Sequence, residues 1–222
     1  MEKYGTIPKK FTKAWWEYFW EYYKWHTITI AFIIFMISSF AYSKLTATKY
    51  DLYMSYVAPG MISDDVKASM TELLAPVTDE ITDNEQKDIS YDMYSIDASK
   101  EPDPAEAEME SAVTMKLMAE LQAGYSYLFI ISKGNLESFY GLTDCLEDTS
   151  VYAGDNENVF RDQTGKACAI SLKDNPKLSA LGFNNPDLYL AVRSLYERDK
   201  DNEKNVKLYE NSLKIAEFIV GE

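Results

Sequence analysis

From Trp25 to Ser43 the chain runs for 19 residues without a charged side chain, and its centre, Ile30–Ile37, reads IAFIIFMI. As a helix this run is about 28 Å long, close to the hydrocarbon thickness of a bilayer. It therefore has three ways to fold: a core helix buried on all sides, a signal sequence, or a membrane span. Thr27, Thr29, Ser38, Ser39 and Ser43 dilute the run, but a hydroxyl within a helix can bond a preceding carbonyl. Lys24 and Lys44 flank it, which favours a span at residues 25–45 over a core helix. Ala41-Tyr42-Ser43 has a small-x-small form. The stretch before the apolar run is nevertheless long and mixed in charge, whereas a signal peptide opens on a short basic segment. An uncleaved anchor is expected, and no Cys near the span offers a site for lipid attachment.

Charge then orients the span. Lys3, Lys9, Lys10, Lys13 and Lys24 precede it, and only Lys44 and Lys49 follow closely. The positive-inside bias predicts a single-pass protein of the cell membrane, with a cytoplasmic N-terminus and residues 50–222 outside. The formal net charge of −14 divides along the same line. Of 22 basic and 36 acidic residues, seven and three lie in residues 1–49, leaving 15 and 33 beyond: +4 against −18. An acidic outer domain lacks the basic footprint that nucleic-acid binding requires.

Residues 1–24 are unusual in another way. All four Trp fall between Trp15 and Trp25, followed directly by the only histidine, His26. No Gly or Pro occurs between Pro8 and Pro59, so a helix can run unbroken into the span. Lys10, Lys13, Glu17, Glu21 and Lys24 draw one charged stripe along it. Phe11, Trp15, Trp16, Phe19, Trp20, Tyr22 and Tyr23 cover much of the remaining surface. Trp and Tyr favour the headgroup layer, where the ring is apolar and its N–H or O–H stays wet. Trp15, Trp16, Phe19, Trp20, Tyr22, Tyr23 and Trp25 thus form a membrane-interface belt, or a docking face for another membrane subunit. Ser39 and Ser43 make a small-xxx-small pair, a weak signal for helix association.

Residues 50–222 are long enough for one core. Asp51–Val57 predicts a strand, with Pro59-Gly60 turning out of it. Ser63 predicts an N-cap for a helix whose Val66, Met70, Leu73 and Leu74 share a face, closed near Pro76. Asp88–Ile96 alternates as a strand with one wet face. Asp103-Pro104-Ala105-Glu106 predicts a helix start, with Met109, Val113, Leu117 and Leu121 along one side and Gly124 at its end. Tyr125–Ile131 predicts a strand buried on both faces. A short helix near Leu136–Leu146, a loop over Asp148–Asn158, strands at Lys166–Leu172 and Leu188–Tyr196, and a closing helix at Glu203–Val220 complete the order. Alternating strands and helices predict an α/β fold, a three-layer sandwich on a mainly parallel sheet.

The run KLMAELQAGYSYLFII (Lys116–Ile131) resembles the helix–Gly–strand unit of extracellular solute-binding proteins of ABC transporters. Gly141-Leu142-Thr143-Asp144-Cys145-Leu146 is similar to that family's "G.l.dL" phrase. GKACAISL (Gly165–Leu172) and DLYLAVRSL (Asp187–Leu195) resemble its later strands, and the last helix its "a..fi..l" region. The resemblance covers most of residues 50–222 and implies an α/β fold more than an activity, since a lone lobe has no partner lobe to supply the other half of a ligand cleft. It departs from the family at Tyr127, where an acidic residue is usual, and in size, since 173 residues make one lobe where the family has two.

Most catalytic constellations lack their parts. The one histidine lies at the membrane, which leaves the outer domain without a Ser-His-Asp or Cys-His arrangement. Two cysteines without histidine do not make a zinc site, and no GxGxxG or GxxxxGK[ST] occurs. Asp199, Asp201 and Glu203 have calcium-loop spacing, but Lys204 stands where such a loop needs Gly, so a solvated turn is expected. No metal or cofactor is expected. Cys145 and Cys168 are candidates for a disulfide, or else two small buried side chains. In a doubly wound sheet a ligand meets loops at the carboxyl ends of strands, which nominates Pro59, Gly60, Ser132, Lys133 and Asn135.

These readings point to a non-enzymatic bitopic protein whose outer lobe binds another protein or completes a membrane assembly. Its expected partners are the bilayer and another membrane protein or a second copy. A ligand-sensing module whose cleft is completed by dimerisation is the alternative, with a small molecule as partner. A carboxylate-based hydrolase ranks third.

Overall fold

A computed structural model describes residues 8–46, 49–82, 87–100, 104, 107–139, 141–154, 157–183 and 185–221. The chain divides into two compact units, Met1–Thr48 and Lys49–Glu222.

The first unit is built on one helix, α1 (Lys13–Thr46). Thr12 starts it: its hydroxyl accepts from the Trp15 amide at 3.3 Å and donates to the Lys9 carbonyl at 2.7 Å. With no Gly or Pro to interrupt it, α1 continues for 34 residues, about 51 Å. It is long and apolar enough to cross a membrane: its apolar stretch has a mean hydropathy of 1.6, and none of it is buried. The expected segments 1–24 and 25–45 thus share one continuous helix from Lys13 onward.

The second unit orders its elements as β1 (Leu52–Val57), α2 (Asp64–Leu74), β2 (Ile89–Tyr94), α3 (Ala107–Ala123), β3 (Leu128–Ser132), α4 (Lys133–Ser138), α5 (Ser150–Ala153), β4 (Val159–Arg161), β5 (Ala167–Ser171), α6 (Pro176–Ser179), β6 (Leu188–Val192) and α7 (Glu203–Val220). One six-stranded sheet runs β2-β1-β3-β6-β5-β4. The β1–β2 and β1–β3 pairings are parallel; β3–β6, β5–β6 and β4–β5 are antiparallel. The fold is α/β with a mixed sheet. The mainly parallel expectation fits the β2-β1-β3 half and ends at β3. Five residues separate β4 from β5, and so short a link permits only an antiparallel pair.

Alternation along the strands builds two cores. Leu52, Met54, Tyr56, Leu128, Ile130, Leu188 and Leu190 face Met70 and Leu74 of α2 and Ile215, Ala216 and Ile219 of α7. Val57, Tyr94, Phe129, Ile131 and Ala191 face Leu117 and Leu121 of α3 and Leu136 of α4. All five residues of β3 are buried, as expected of a strand covered on both sides. β2 pairs on one side only, and its outward face is half-covered because Tyr94 turns into the second core.

Polar side chains tie the first core together. The buried Asp51 carboxylate accepts from the amides of Ile81 (2.8 Å), Thr82 (2.8 Å) and Asp88 (3.1 Å), and from the Thr82 hydroxyl (2.9 Å). Burial raises this carboxyl, but the amide hydrogen bonds outweigh it and hold the group below its ordinary value of 3.8. Asn211 of α7 donates to the carbonyls of Asp51 (3.0 Å) and Asp79 (2.8 Å) and accepts from the Asp79 amide at 2.9 Å. Ser63 caps α2 by accepting from Val66, and α7 spans the expected Glu203–Val220.

Other expectations shift. The predicted Leu136–Leu146 helix breaks into α4 and a short 3-10 turn, Thr143–Cys145, because Gly141 lies between them at φ 77°. β6 stops at Val192 rather than Tyr196. The short elements α5, β4 and α6 carry too little periodicity to stand out in sequence. Asp103, Ala105 and Glu106 of the expected helix start lie outside the described residues, and α3 is described from Ala107. At Gly124 a Cβ would fall 1.9 Å from the Glu120 side chain, whose Oε1 accepts from the Ser126 amide at 3.0 Å. A side chain there would displace that carboxylate from the Ser126 amide.

Candidate functional sites

The structure gathers the residues nominated for ligand binding at the carboxyl ends of β1 and β3. Pro59-Gly60 turns the chain after β1, with Gly60 at φ 86°, and the Gly60 amide donates to the Ser95 hydroxyl at 3.2 Å. Ser132 caps α4 by accepting from the Asn135 amide at 3.4 Å. Asn135 is fully buried. Its Oδ1 accepts from the Ala98 amide at 2.8 Å, and its Nδ2 donates to the carbonyls of Val57 and Ile96, both at 3.0 Å. Lys133 gives its backbone amide to the Asp187 carbonyl at 2.7 Å, and its exposed ammonium approaches Glu137 at 3.7 Å. The five residues are brought together, yet the polar groups that would meet a ligand are spent on the fold. Asn135 in particular stands in the crevice as a strut between the strand ends.

Two open clefts lie nearby. One of about 310 Å³ is lined by Tyr56, Met61, Ile62, Ser63, Phe183 and Asn185, among others. Its apolar wall includes Met61, 78% exposed, and the Tyr56–Phe183 ring pair. The other, about 520 Å³, lies between the Phe139–Asp144 region and the β4–β5 turn. Its Asp162 carboxylate is consumed by the turn, accepting from Thr164 and Lys166 amides at 2.8 and 3.0 Å. Among the described residues no group of three or more His, Cys, Asp or Glu could hold a metal ion.

Arg193, just past β6, is fully buried. Its guanidinium donates to the carbonyls of Leu121 and Gly124 at the end of α3, both at 2.9 Å, and lies 4.2 Å from the Tyr127 ring centroid. Tyr127, the departure from the solute-binding pattern, thus supplies an aromatic face to this cation rather than a carboxylate. The arginine closes the carboxyl end of α3, where the helix dipole favours positive charge.

Both cysteines are free thiols, so the disulfide considered from sequence is not formed. Cys168 packs on β5 in the second core with its thiol toward the Phe160 carbonyl; half-buried Cys145 directs its own to Gly141. Burial pushes the Cys168 thiol up to about 11.

On α1 the aromatic residues form a ladder at helical spacing. Phe11–Trp15, Trp15–Phe19 and Phe19–Tyr23 have ring centroids 5.5, 5.4 and 5.6 Å apart. Trp16 packs edge-on against Trp15 and Phe19, Tyr22 pairs with Tyr18 at 4.8 Å, and Trp20 and Trp25 stay exposed. The rings ladder on one another and leave a broad aromatic exterior.

No family model, curated protein or solved structure matches this chain.

A second aromatic group escaped the sequence reading. At the start of β1, Tyr50 and Tyr53 meet edge-on at 5.4 Å, and Tyr53 meets Tyr125 at 5.8 Å. The Lys204 ammonium sits 5.1 Å from the Tyr125 ring and 5.8 Å from that of Tyr53. Burial, and then the nearby Lys49 charge, lower the Lys204 ammonium from its ordinary value. Tyr50 and Tyr53 are three residues apart just beyond the apolar run, a visible signal; Tyr125 and Lys204 join them only through the fold.

Proposed function

We propose that this chain is a single-pass membrane protein with a cytoplasmic N-terminus. Its acidic outer lobe, helices on both faces of the sheet in a three-layer arrangement, serves as an interaction or accessory subunit of a membrane assembly. The observation that carries the reading is α1: an unburied 34-residue helix that is apolar in its second half and aromatic in its first. A span needs about 20 residues, so roughly four turns of helix, mostly aromatic, are left over, more surface than depth anchoring requires. The saturated crevice around Asn135 supports a lobe that meets partners through its surface. No step of chemistry is assigned to it.

Two experiments test this. Protease added to sealed spheroplasts should degrade residues 50–222 and spare the N-terminal segment; the reverse pattern refutes the orientation. Gentle solubilisation followed by native mass spectrometry should give a stoichiometric complex, hetero- or homo-oligomeric, and a monodisperse monomer refutes the assembly role.

The Tyr56–Phe183 cleft favours a second reading, a ligand-sensing, solute-binding-like module completed by dimerisation. A ligand would then raise the melting temperature by mass action. Absence of a shift across amino acids, sugars and peptides counts against it.

A further inference from the structure

We infer that the Tyr50–Tyr53–Tyr125–Lys204 corner, with Lys49, is a docking surface for the anionic headgroup layer of the bilayer that α1 crosses. The inference rests on the reading of α1 as a membrane span.

Three observations converge on one occupant. The first is chemical. Tyr50 and Tyr53 are half-buried and Tyr125 is 50% exposed, so the corner presents phenol rings at its surface. Rings with an apolar body and a wet hydroxyl are the side chains that settle at a membrane–water interface. The second is charge. Residues 50–222 carry −18, yet two ammonium groups meet here, and among the described residues neither Lys49 nor Lys204 makes an ion pair. Nearby carboxylates are engaged elsewhere: Asp51 is buried on its amides, and Glu203 pairs with Lys207 at 2.7 Å. Among the described residues the Asp51 carboxylate is the one negative charge acting on Lys204 here, against the like charge of Lys49, so a further anion stabilises the pair, and lipid phosphates are anions at a fixed depth. The third is covalent. Lys49 is three residues along the chain from Thr46, the last residue of α1, a tether of at most about 11 Å. The chain that follows α1 enters the domain at this corner.

The chemistry separates this surface from the belt on the other side. The N-terminal belt is rich in Trp and lies on the helix itself. The outer corner is built from Tyr and Lys drawn from three separate places in the chain, β1, the loop after α3, and α7. Only a folded domain assembles it, and its occupation would hold the lobe against the outer leaflet.

The test uses the full chain reconstituted in phosphatidylcholine vesicles, with and without about 30% phosphatidylglycerol. The vesicles carry two photoactivatable lipids, one reactive in the headgroup, which reads the corner, and one reactive in the acyl chain, which reads residues 25–42, and labelled peptides are mapped by mass spectrometry. Peptides containing Tyr50, Tyr53, Tyr125 and Lys204 should be labelled, more strongly in the anionic vesicles. The K49E/K204E double variant should lose most of that labelling, about fivefold for each lysine, with labelling of residues 25–42 unchanged. The variant gives up the Lys204 contacts with the Tyr125 and Tyr53 rings, so its urea midpoint is measured alongside and labelling is compared under conditions where both proteins are fully folded. Labelling of residues 25–42 without the corner, or equal labelling in the variant, overturns this inference and leaves the span intact. No labelling of residues 25–42 overturns the span itself. If millimolar inorganic phosphate erases the corner labelling as fully as the double variant does, the site takes free anions and the bilayer assignment fails.

Discussion

Replacing Asn135 distinguishes a strut from a ligand-binding residue. Asn135→Ala removes a fully buried side chain that satisfies one amide and two carbonyls, at 2.8, 3.0 and 3.0 Å. Each buried backbone group left unpaired costs about 1–3 kcal/mol. Local relaxation and water entry recover part of the sum, giving an expected loss of about 3–5 kcal/mol. Asn135→Asp keeps the shape but sets a carboxyl oxygen where the amide donated to the Val57 and Ile96 carbonyls. It should be at least as destabilising at neutral pH and partly relieved in acid, where the carboxyl protonates. Pulse proteolysis across a urea gradient reads the domain directly, since all four Trp lie between Trp15 and Trp25, outside it, and cannot report on it. With a slope of about 2 kcal/mol per molar, the Ala variant should unfold about 1.5–2.5 M earlier than wild type. A cost below about 1 kcal/mol, or an Asp variant more stable than Ala at pH 7, would refute the argument that these three bonds hold the strand ends together.

Asp51 makes stability depend on acid. Its folded value lies below the unfolded 3.8, so its contribution is complete above that value and is lost as pH falls through the folded one. Asp51→Asn should flatten the decline in urea midpoint below pH 4 and cost about 2–3 kcal/mol at pH 7; an unchanged acid limb contradicts this. Arg193→Met keeps most of the stem but leaves the Leu121 and Gly124 carbonyls unpaired and removes the Tyr127 stack. A loss of about 2–4 kcal/mol is expected by urea denaturation, and neutrality would show that the buried cation costs as much as it contributes. Cys168, buried with its thiol raised to about 11, should resist alkylation in the native chain and react once unfolded. Both thiols should titrate without reductant, and fewer than two would expose a disulfide.

Much of this protein is legible locally. The uncharged run needs no neighbours to mark a helix long and apolar enough to cross a membrane, because hydrophobic length is a property of consecutive residues. The Ser63 cap, the buried β3 run and the Glu203–Val220 helix are readable for the same reason: capping and periodicity act within a few residues. The short strand β4 and the helix break at Gly141 are not legible, since three or four residues carry no periodicity and their conformation follows from what they pack against.

Site residues divide in the same manner. The sequence placed Pro59, Ser132 and Asn135 in the loops where an α/β sheet binds ligands, but only the tertiary structure reveals that Asn135 spends its amide on Val57, Ile96 and Ala98. The reverse holds for Tyr125 and Lys204, ordinary surface residues until folding carries them to Tyr50 and Tyr53. A local pattern can say which chemistry a residue carries. Hydrogen-bond satisfaction and charge pairing are decided by partners distant in the chain, so availability of that chemistry is a property of the fold.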